Sequence, residues 1–379
     1  MKGESMKKNV SKKIVGIATT LLACASMITG CAGSVNLNTP VAVVNDENVS
    51  FGVAKFYAKT QQVMYESYYG SLFGDNMWDQ TLSADMTFGE STLENILEEI
   101  KEMYIVNQHA DEYEITLSDE EKSKIEETAK QFMADNNADA IESMGASEEV
   151  IIEYLTKFTL QGKIEAAIKA GADTNVADED AAQRTFSYVL VSTAGTTDET
   201  GKTVDLTDEE KAAKKEEAQA IIDAVAGGKD FDTAVTDTER SVSTASYGKD
   251  DDAGMNEAVI AAADALQEGE ISPIVETDGG YYVLKLTSAF DQEQTENRRQ
   301  EIITQRQTTL YEDTYTKWKD ASKVSVDNKV WKKITFKDKL SMVSNATMDD
   351  IITEDTTTED TTADDSTTNQ QTIEDTTKE

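Results

Sequence analysis

Histidine and cysteine are nearly absent from this chain of 379 residues, which has one histidine and two cysteines. A Ser/His/Asp triad needs a histidine beside its nucleophile, and an HExxH zinc motif needs two. The single histidine, His109, has no patterned carboxylate pair around it. We therefore expect no hydrolase site, no metal site and no bound cofactor. We interpret His109 as a residue near the C-terminus of a helix, where positive charge is favourable.

Positive charge is also scarce, because 35 lysines and arginines stand against 73 aspartates and glutamates, for a net charge of −38. A surface of this sign repels the phosphates of nucleic acid and of anionic lipid. The sequence therefore predicts no nucleic-acid partner. The hydrophobic content of 39% is ordinary and allows a folded core.

The first 30 residues have the order of a bacterial secretory signal. Five lysines precede residue 14, and residues 14–25 form an apolar run without charge. The sequence Ile28-Thr29-Gly30-Cys31 that follows resembles a lipobox, which implies cleavage before Cys31 and a diacylglyceryl lipid on its thiol. Without residues 1–30, Cys31 is the single cysteine and no internal disulfide can form. The alternative is an uncleaved anchor helix, because residues 14–33 are about long enough to span a bilayer.

The C-terminal end is a repetitive acidic segment. From residue 349 the chain reads as six five-residue units, five of which open with an acidic pair. A five-residue period fits neither a helix face nor a strand face, so we expect residues 345–379 to form a disordered, solvated tail. Plain solubility explains such a tail, and weak cation binding or spacing within a cell wall is the functional alternative.

Between the leader and the tail, helical patterns flank a segment of mixed pattern. Residues 31–180 predict a helical domain, in which residues 91–94 and 118–121 fit the pattern of capping boxes. Residues 181–290 alternate strand and helix patterns and predict a compact α+β domain. Residues 291–344 predict a long helix followed by a short strand.

Parts of the mixed segment resemble the parvulin-type peptidyl-prolyl isomerases. Residues 265–277 read A-L-Q-E-G-E-I-S-P-I-V-E-T and residues 280–286 read G-Y-Y-V-L-K-L, which is similar to the end of the parvulin domain in one register. Residues 186–191, F-S-Y-V-L-V, are similar to its first strand. With the lipobox and the helical region, the chain resembles the PrsA-type foldase lipoproteins with SurA-like N-terminal helices.

That resemblance implies an α+β fold class. We expect a mainly helical chaperone domain with an inserted parvulin-like α/β domain, in which helices pack on a four-stranded antiparallel sheet, followed by the disordered acidic tail. The resemblance also implies that residues 291–344 return to the N-terminal domain.

The same resemblance implies a rebuilt catalytic site. Tyr188 and Tyr282 stand where the family has two histidines, Met255 matches the methionine of the proline pocket, and Val259 and Asp264 replace its phenylalanines. Prolyl rotation has a barrier near ~20 kcal/mol that comes from amide resonance, so its catalysis needs neither a nucleophile nor a metal. One interpretation is a hydrogen-bonded tyrosine pair that replaces the histidines. The other is a pair that fills the sheet core with its hydroxyls bonded, with weak or absent turnover.

Two functions from different classes follow. The first is a lipid-anchored folding factor at the extracytoplasmic face of a bacterial membrane, acting on unfolded or secreted polypeptides. The Tyr, Phe and Met side chains of residues 63–78 would serve as its binding surface, although such a stripe is more often core. The second is a non-catalytic surface lipoprotein for solute capture or adhesion. Solute capture needs two lobes of alternating strands and helices, and the sequence predicts only one short unit of that kind.

Overall fold

The computed structural model describes residues 24–27, 35–74, 76–83, 86–197 and 203–342. Cys31, most of the predicted leader and the whole predicted acidic tail lie outside the described residues. In the described part of the chain, no helix combines the length and the apolar character that crossing a membrane requires.

The part of the chain that precedes the mixed segment is mainly helical. In chain order its elements are β1 (Cys24–Met27), β2 (Pro40–Val44), β3 (Glu47–Ser50), α1 (Phe51–Phe73), β4 (Thr81–Ser83), β5 (Met86–Thr87), α2 (Phe88–Asn107), α3 (Asp119–Asp135), α4 (Ala138–Met144), α5 (Glu148–Lys169) and α6 (Asp178–Ala181). Short 3-10 turns at Met77–Asp79 and Ala110–Tyr113 interrupt this series. The helices enclose a shared core that includes Val53, Ile100 and Ile151.

Helix starts in this domain follow from local side-chain chemistry. Ser118 and Glu121 form the capping box that the sequence predicts for α3. The box predicted at residues 91–94 is wrong, because α2 begins four residues earlier, after Thr87. Thr87 and Glu90 make the reciprocal bonds there, with the Glu90 backbone nitrogen donating to Thr87 Oγ1 at 3.2 Å and the Thr87 nitrogen donating to Glu90 Oε2 at 2.9 Å.

The mixed segment folds as a four-stranded sheet with helices on both faces. Its elements are β6 (Gln183–Ser192), β7 (Thr196–Thr197), β8 (Thr203–Val204), α7 (Asp208–Ala226), α8 (Phe231–Thr236), β9 (Ser243–Gly248), α9 (Glu257–Asp264), β10 (Val275–Thr277) and β11 (Gly280–Ser288). The strands are antiparallel in the order β10-β11-β6-β9, which confirms the predicted parvulin-like sheet. Before β10 begins at Val275, Ile271 makes only an isolated bridge with Lys285.

Each face of this sheet has its own apolar cluster. Val189 and Val283 pack with Ile221 of α7 and Phe231 of α8 on one face. On the other face Phe186, Leu284 and Leu286 pack with Val259 and Ala263 of α9, and Tyr188, Tyr282 and Met255 lie against them. The candidate residues therefore belong to the second face, which we call the α9 face.

The chain then returns to the helical domain. The remaining elements are α10 (Gln292–Ala321), β12 (Val324–Val326), α11 (Asn328–Trp331) and β13 (Lys339–Met342). Strand β12 pairs with β2 in a sheet of order β12-β2-β3, and β13 pairs with β1. Because both ends of the described chain meet in one helical domain, the parvulin-like unit is an insert in it, as the fold class predicts.

Arginines of α10 fix the segment that leads into the insert. Arg299 donates from Nη1 to the carbonyl of Val176 at 2.7 Å and from Nη2 to Oδ1 of Asp178 at 2.9 Å. About two turns further along α10, Arg306 donates to the carbonyls of Asp173 and Asn175 at 3.1 and 3.0 Å. These contacts hold α10 alongside the connection between the helical domain and the sheet.

Candidate functional site

The two tyrosines at the expected histidine positions are neighbours in the centre of the sheet. Tyr188 on β6 pairs with Leu284 and Tyr282 on β11 pairs with Leu190, so the two tyrosines are diagonal cross-strand neighbours on the α9 face. Their ring centroids are 5.8 Å apart at an interplanar angle of 39°. Both side chains are half-buried. Burial raises the pKa of Tyr282, and the proximity of Tyr188 adds to that shift.

The contact between these tyrosines is aromatic. Within the described part of the chain, neither hydroxyl makes a hydrogen bond, either to the other tyrosine, as the first interpretation assumes, or to a core group, as the second assumes. The Tyr188 ring also lies 5.8 Å from the ring of Phe186, which is fully buried. The rings are therefore fixed by packing, and their hydroxyl groups keep the capacity to bond a ligand.

Two of the three expected substrate-binding residues join the tyrosine pair. Met255 is half-buried and packs against the α9 face, whereas Val259 on α9 is fully buried at 0% exposure. The side chain of Val259 is therefore part of the sheet core. It fills the position expected to bind a proline ring, whereas Met255 and Tyr188 line an open cleft.

The third expected residue, Asp264, does not contact the tyrosine pair and is bonded to Tyr247 instead. It is exposed at the end of α9, and its Oδ1 accepts a hydrogen bond of 2.9 Å from the hydroxyl of Tyr247. Burial raises the pKa of Tyr247, and the bond to Asp264 raises it further, while Arg184 acts in the opposite direction. The carboxylate is thus bonded and solvated, so it places no isolated charge among the apolar residues of the α9 face.

A cleft of about 400 Å³ opens beside Tyr188 and Met255. One wall is formed by the sheet and the loop that follows β9, and the other wall is formed by α10. The residues that sequence reasoning missed are those of the polar walls: Gln183, Thr244, Ser246, Asp251, Gln294, Asn297, Arg298 and Glu301. No local pattern identifies them, because the sheet and α10 contribute residues far apart in the chain.

The helical domain carries a second candidate surface on the C-terminal half of α1. Only part of the binding surface predicted over residues 63–78 is exposed, because Val63 and Met77 are buried in the core. The side chains that remain exposed, together with one from β4, are Met64, Tyr68, Tyr69, Leu72, Phe73 and Leu82. Contiguous apolar surface of this kind is typical of protein-binding sites.

His109 has a packing role in the structure. Its ring stacks on that of Trp318 with centroids 4.0 Å apart and planes 5° from parallel. Its Nδ1 lies 2.6 Å from Oε1 of Glu112. These contacts join the end of α2 to α10. Among the described residues, no group of three His, Cys, Asp or Glu side chains is arranged to hold a metal ion.

Comparison with known proteins identifies a domain of known family inside the chain. Residues 196–296 match the family model described as the PPIC-type PPIASE domain. The matched segment contains Met255, Val259, Asp264 and Tyr282, and it begins after Tyr188.

The chain is also similar over most of its length to curated foldases. It is 22% identical over 351 residues to the foldase protein PrsA of Clostridium perfringens (strain 13 / Type A), covering 87% of this chain and 94% of the relative. It is 27% identical over 252 residues to the foldase protein PrsA 3 of Bacillus anthracis, covering 64% of this chain and 77% of the relative.

Solved structures of similar proteins give the same family name. A crystal structure of the peptidylprolyl isomerase PrsA from Bacillus cereus is 22% identical and covers 67% of this chain and 96% of its own, with a TM-score of 0.31. Taken with the matched domain, the curated relatives confirm the predicted resemblance to PrsA-type foldases with a parvulin-like domain.

Proposed function

We propose that this protein is an extracytoplasmic folding factor that binds unfolded polypeptides through a parvulin-like domain whose catalytic site has diverged. The observation that carries the proposal is the tyrosine pair. Tyr188 and Tyr282 lie 5.8 Å apart in the centre of an antiparallel sheet of parvulin-like topology, at the two positions where the resemblance implies histidines.

The geometry favours binding over turnover. Catalysis of prolyl rotation requires a site that holds the ring and stabilises the twisted amide more than the planar one. Val259 is fully buried and the cleft beside Tyr188 has polar walls, so an apolar pocket for the ring is largely filled. The free tyrosine hydroxyls and the polar cleft can still bond a peptide main chain. We therefore expect weak or absent isomerase activity together with polypeptide binding.

Two assays test this proposal together. We would measure proline isomerisation of a tetrapeptide and suppression of aggregation of an unfolded protein, using the wild type, Tyr188→Phe and Tyr282→Phe. The expected result is suppression of aggregation by all three proteins with little isomerisation by any of them. Isomerisation by the wild type that is lost in both variants would restore the catalytic interpretation. A wild type with neither activity would overturn the folding-factor proposal.

The proposal includes a lipid anchor on Cys31. It is supported by the lipobox-like residues 28–31 after a leader with five lysines and an apolar run. We expect Cys31→Ser to move the protein from the membrane fraction to the soluble fraction and to abolish a lipid-modified N-terminal peptide in mass spectrometry. Cys24→Ser is the matched control, because Cys24 lies within the predicted leader and its substitution should leave both readouts unchanged. Membrane retention of Cys31→Ser would contradict the anchor.

The exposed apolar surface on α1 supports a chaperone role of the helical domain. Its members Tyr68, Leu72 and Phe73 are exposed, and the strong negative charge of the rest of the chain keeps a loaded chaperone soluble. Solute capture is not favoured, since the described residues form one α/β unit and a helical domain, not two α/β lobes.

A further inference from the structure

The cleft between the parvulin-like sheet and α10 has the properties of a selective peptide site. We propose that it binds the main chain of a client polypeptide and that its charges favour a segment carrying a basic side chain. This inference rests on the proposed function and adds to it the class of polypeptide that the domain selects.

The sheet wall of the cleft contains an unused hydrogen-bond donor. Gln183 is 3% exposed, and its Nε2 has no acceptor within the described part of the chain. The amide is held close to Gly248, where a Cβ would come within 2.5 Å of Nε2. A buried donor without a partner is unfavourable, and a main-chain carbonyl entering the cleft would satisfy it.

Other polar groups of the cleft can also form hydrogen bonds with a peptide main chain. The side chains of Thr244 and Asn297 likewise form no hydrogen bond with any described residue, and neither does the hydroxyl of Tyr188, which also lines the cleft. Amides and hydroxyls offer both donors and acceptors. Such walls match the alternating carbonyl and amide groups of an extended chain better than they match a proline ring.

The charges at the outer side of the cleft are unbalanced. Arg298 lies between two carboxylates, with Nε 3.8 Å from Oδ2 of Asp251 and Nη1 3.2 Å from Oε2 of Glu301. The first distance is too long for a hydrogen bond, and Nε has no hydrogen-bond partner among the described residues. One cation between two anions leaves the cleft with one excess negative charge, which attracts a lysine or arginine side chain of the client.

Three of the four α10 residues that line the cleft lie outside the matched isomerase domain. The match ends at residue 296, whereas Asn297, Arg298 and Glu301 follow it on α10. The helix that connects the insert back to the helical domain therefore supplies one wall of the peptide site. Selectivity in this protein would depend on the joint between the domains and not on the parvulin-like unit alone.

The test is a comparison of two unstructured, fluorescently labelled peptides that differ only in a lysine or a glutamate beside a central Ala-Pro. Fluorescence anisotropy at low ionic strength gives the ratio of the two affinities for the full-length protein. We expect the wild type to prefer the lysine peptide. Arg298→Gln should increase that preference by about threefold or more, because it removes the positive charge from the cleft. Glu301→Gln should decrease the preference by about threefold, because it removes one negative charge at short range from the lysine side chain. About 0.5 M salt should reduce all these differences.

Glu312→Gln is the matched control. Glu312 is exposed on the same helix, eleven residues and about 16 Å beyond Glu301, and makes no ion pair with a described residue. It should leave the peptide preference at the wild-type value. If Arg298→Gln and Glu301→Gln both behave like this control while the wild type binds the peptides, the inference is overturned and the proposed function stands. If the wild type binds neither peptide and suppresses no aggregation, both fail.

Discussion

The side-chain nitrogen of Lys59 lies 3.5 Å from Oδ2 of Asp338, and it also donates to the carbonyl of Thr335 at 2.7 Å. Lys59 is on α1 and is 1% exposed, while Asp338 lies just before β13. The Lys59 nitrogen also donates to a third partner, Oε1 of Gln62, at 2.9 Å. A buried ammonium with three oxygen partners therefore ties the C-terminal segment to the first helix of the domain.

Because Lys59 is buried, the stability of the helical domain changes with pH in the alkaline range. Desolvation lowers the pKa of Lys59 to about 8, with Asp338 acting in the opposite direction and Lys55 adding to the decrease. An unfolded lysine keeps its proton up to about pH 10.5. Between these values the unfolded state binds more protons than the folded state, so the contribution of Lys59 to stability rises with pH. The difference between pKa values of 10.5 and about 8 corresponds to at most about 3.4 kcal/mol.

Lys59→Met should remove this dependence. We expect the free energy of unfolding of the wild type, measured relative to Lys59→Met by urea titration, to increase as the pH is raised from about 8 towards about 10. Lys337→Met is the control, because Lys337 is exposed in the same segment. It should follow the wild type at every pH. A constant difference between the wild type and Lys59→Met would contradict the assigned cause.

Local chemistry explains which parts of this fold are predictable from sequence. Ser118 and Glu121 form the capping box of α3 as predicted, because both partners lie within one helical turn. The same reasoning placed the start of α2 at residue 91, since Ser91 and Glu94 satisfy the same pattern as Thr87 and Glu90. Tertiary packing decides between two equivalent patterns, and the sequence does not contain that information locally.

Some features of the candidate site could likewise be predicted from local sequence patterns, and others could not. The register of Tyr188 and Tyr282 follows from strand motifs that each span a few residues, so both positions could be predicted. Burial of Val259 and the bond between Asp264 and Tyr247 depend on how α9 rests on the sheet. The contribution of Arg298 depends on contact between two units joined through a long helix, which no short pattern encodes.

Gly280, the first residue of β11, should tolerate no side chain. Its φ is +136°, and a Cβ would come within 2.4 Å of the Val191 carbonyl oxygen and 2.9 Å of Ser192 Cα. Backbone strain of this kind is worth about 1 to 3 kcal/mol, to which the clash adds. We expect Gly280→Ala to lower the free energy of unfolding of the insert by at least that amount, measured by chemical denaturation.

The adjacent glycine supplies the control for that experiment. A Cβ on Gly279 would meet only Thr277 Oγ1, at an ordinary contact distance of 3.7 Å. Gly279→Ala should therefore change the stability by less than about 0.5 kcal/mol. Equal effects of the two substitutions would mean that the turn has another conformation.

The bond between Tyr247 and Asp264 should be measurable as a coupling energy. A single hydrogen bond to a charged acceptor contributes about 1.5 to 3 kcal/mol when protected, and less here because Asp264 is exposed. A double-mutant cycle of Tyr247→Phe and Asp264→Ala should give a coupling of about 1 kcal/mol in urea unfolding. Additive effects would show that the two side chains do not interact.

Arg299 should control the mobility of the joint between the two domains. Its side chain is 23% exposed and donates to the Val176 carbonyl and to Asp178. Arg299→Ala removes both bonds and leaves that carbonyl without its donor, so hydrogen exchange of residues 173–182 should accelerate while that of β6 and β11 stays at the wild-type rate. Arg299→Lys keeps the charge but not the two-pronged donor geometry, and it should give an intermediate rate. Unchanged exchange in Arg299→Ala would show that packing along α10, and not these bonds, fixes the joint.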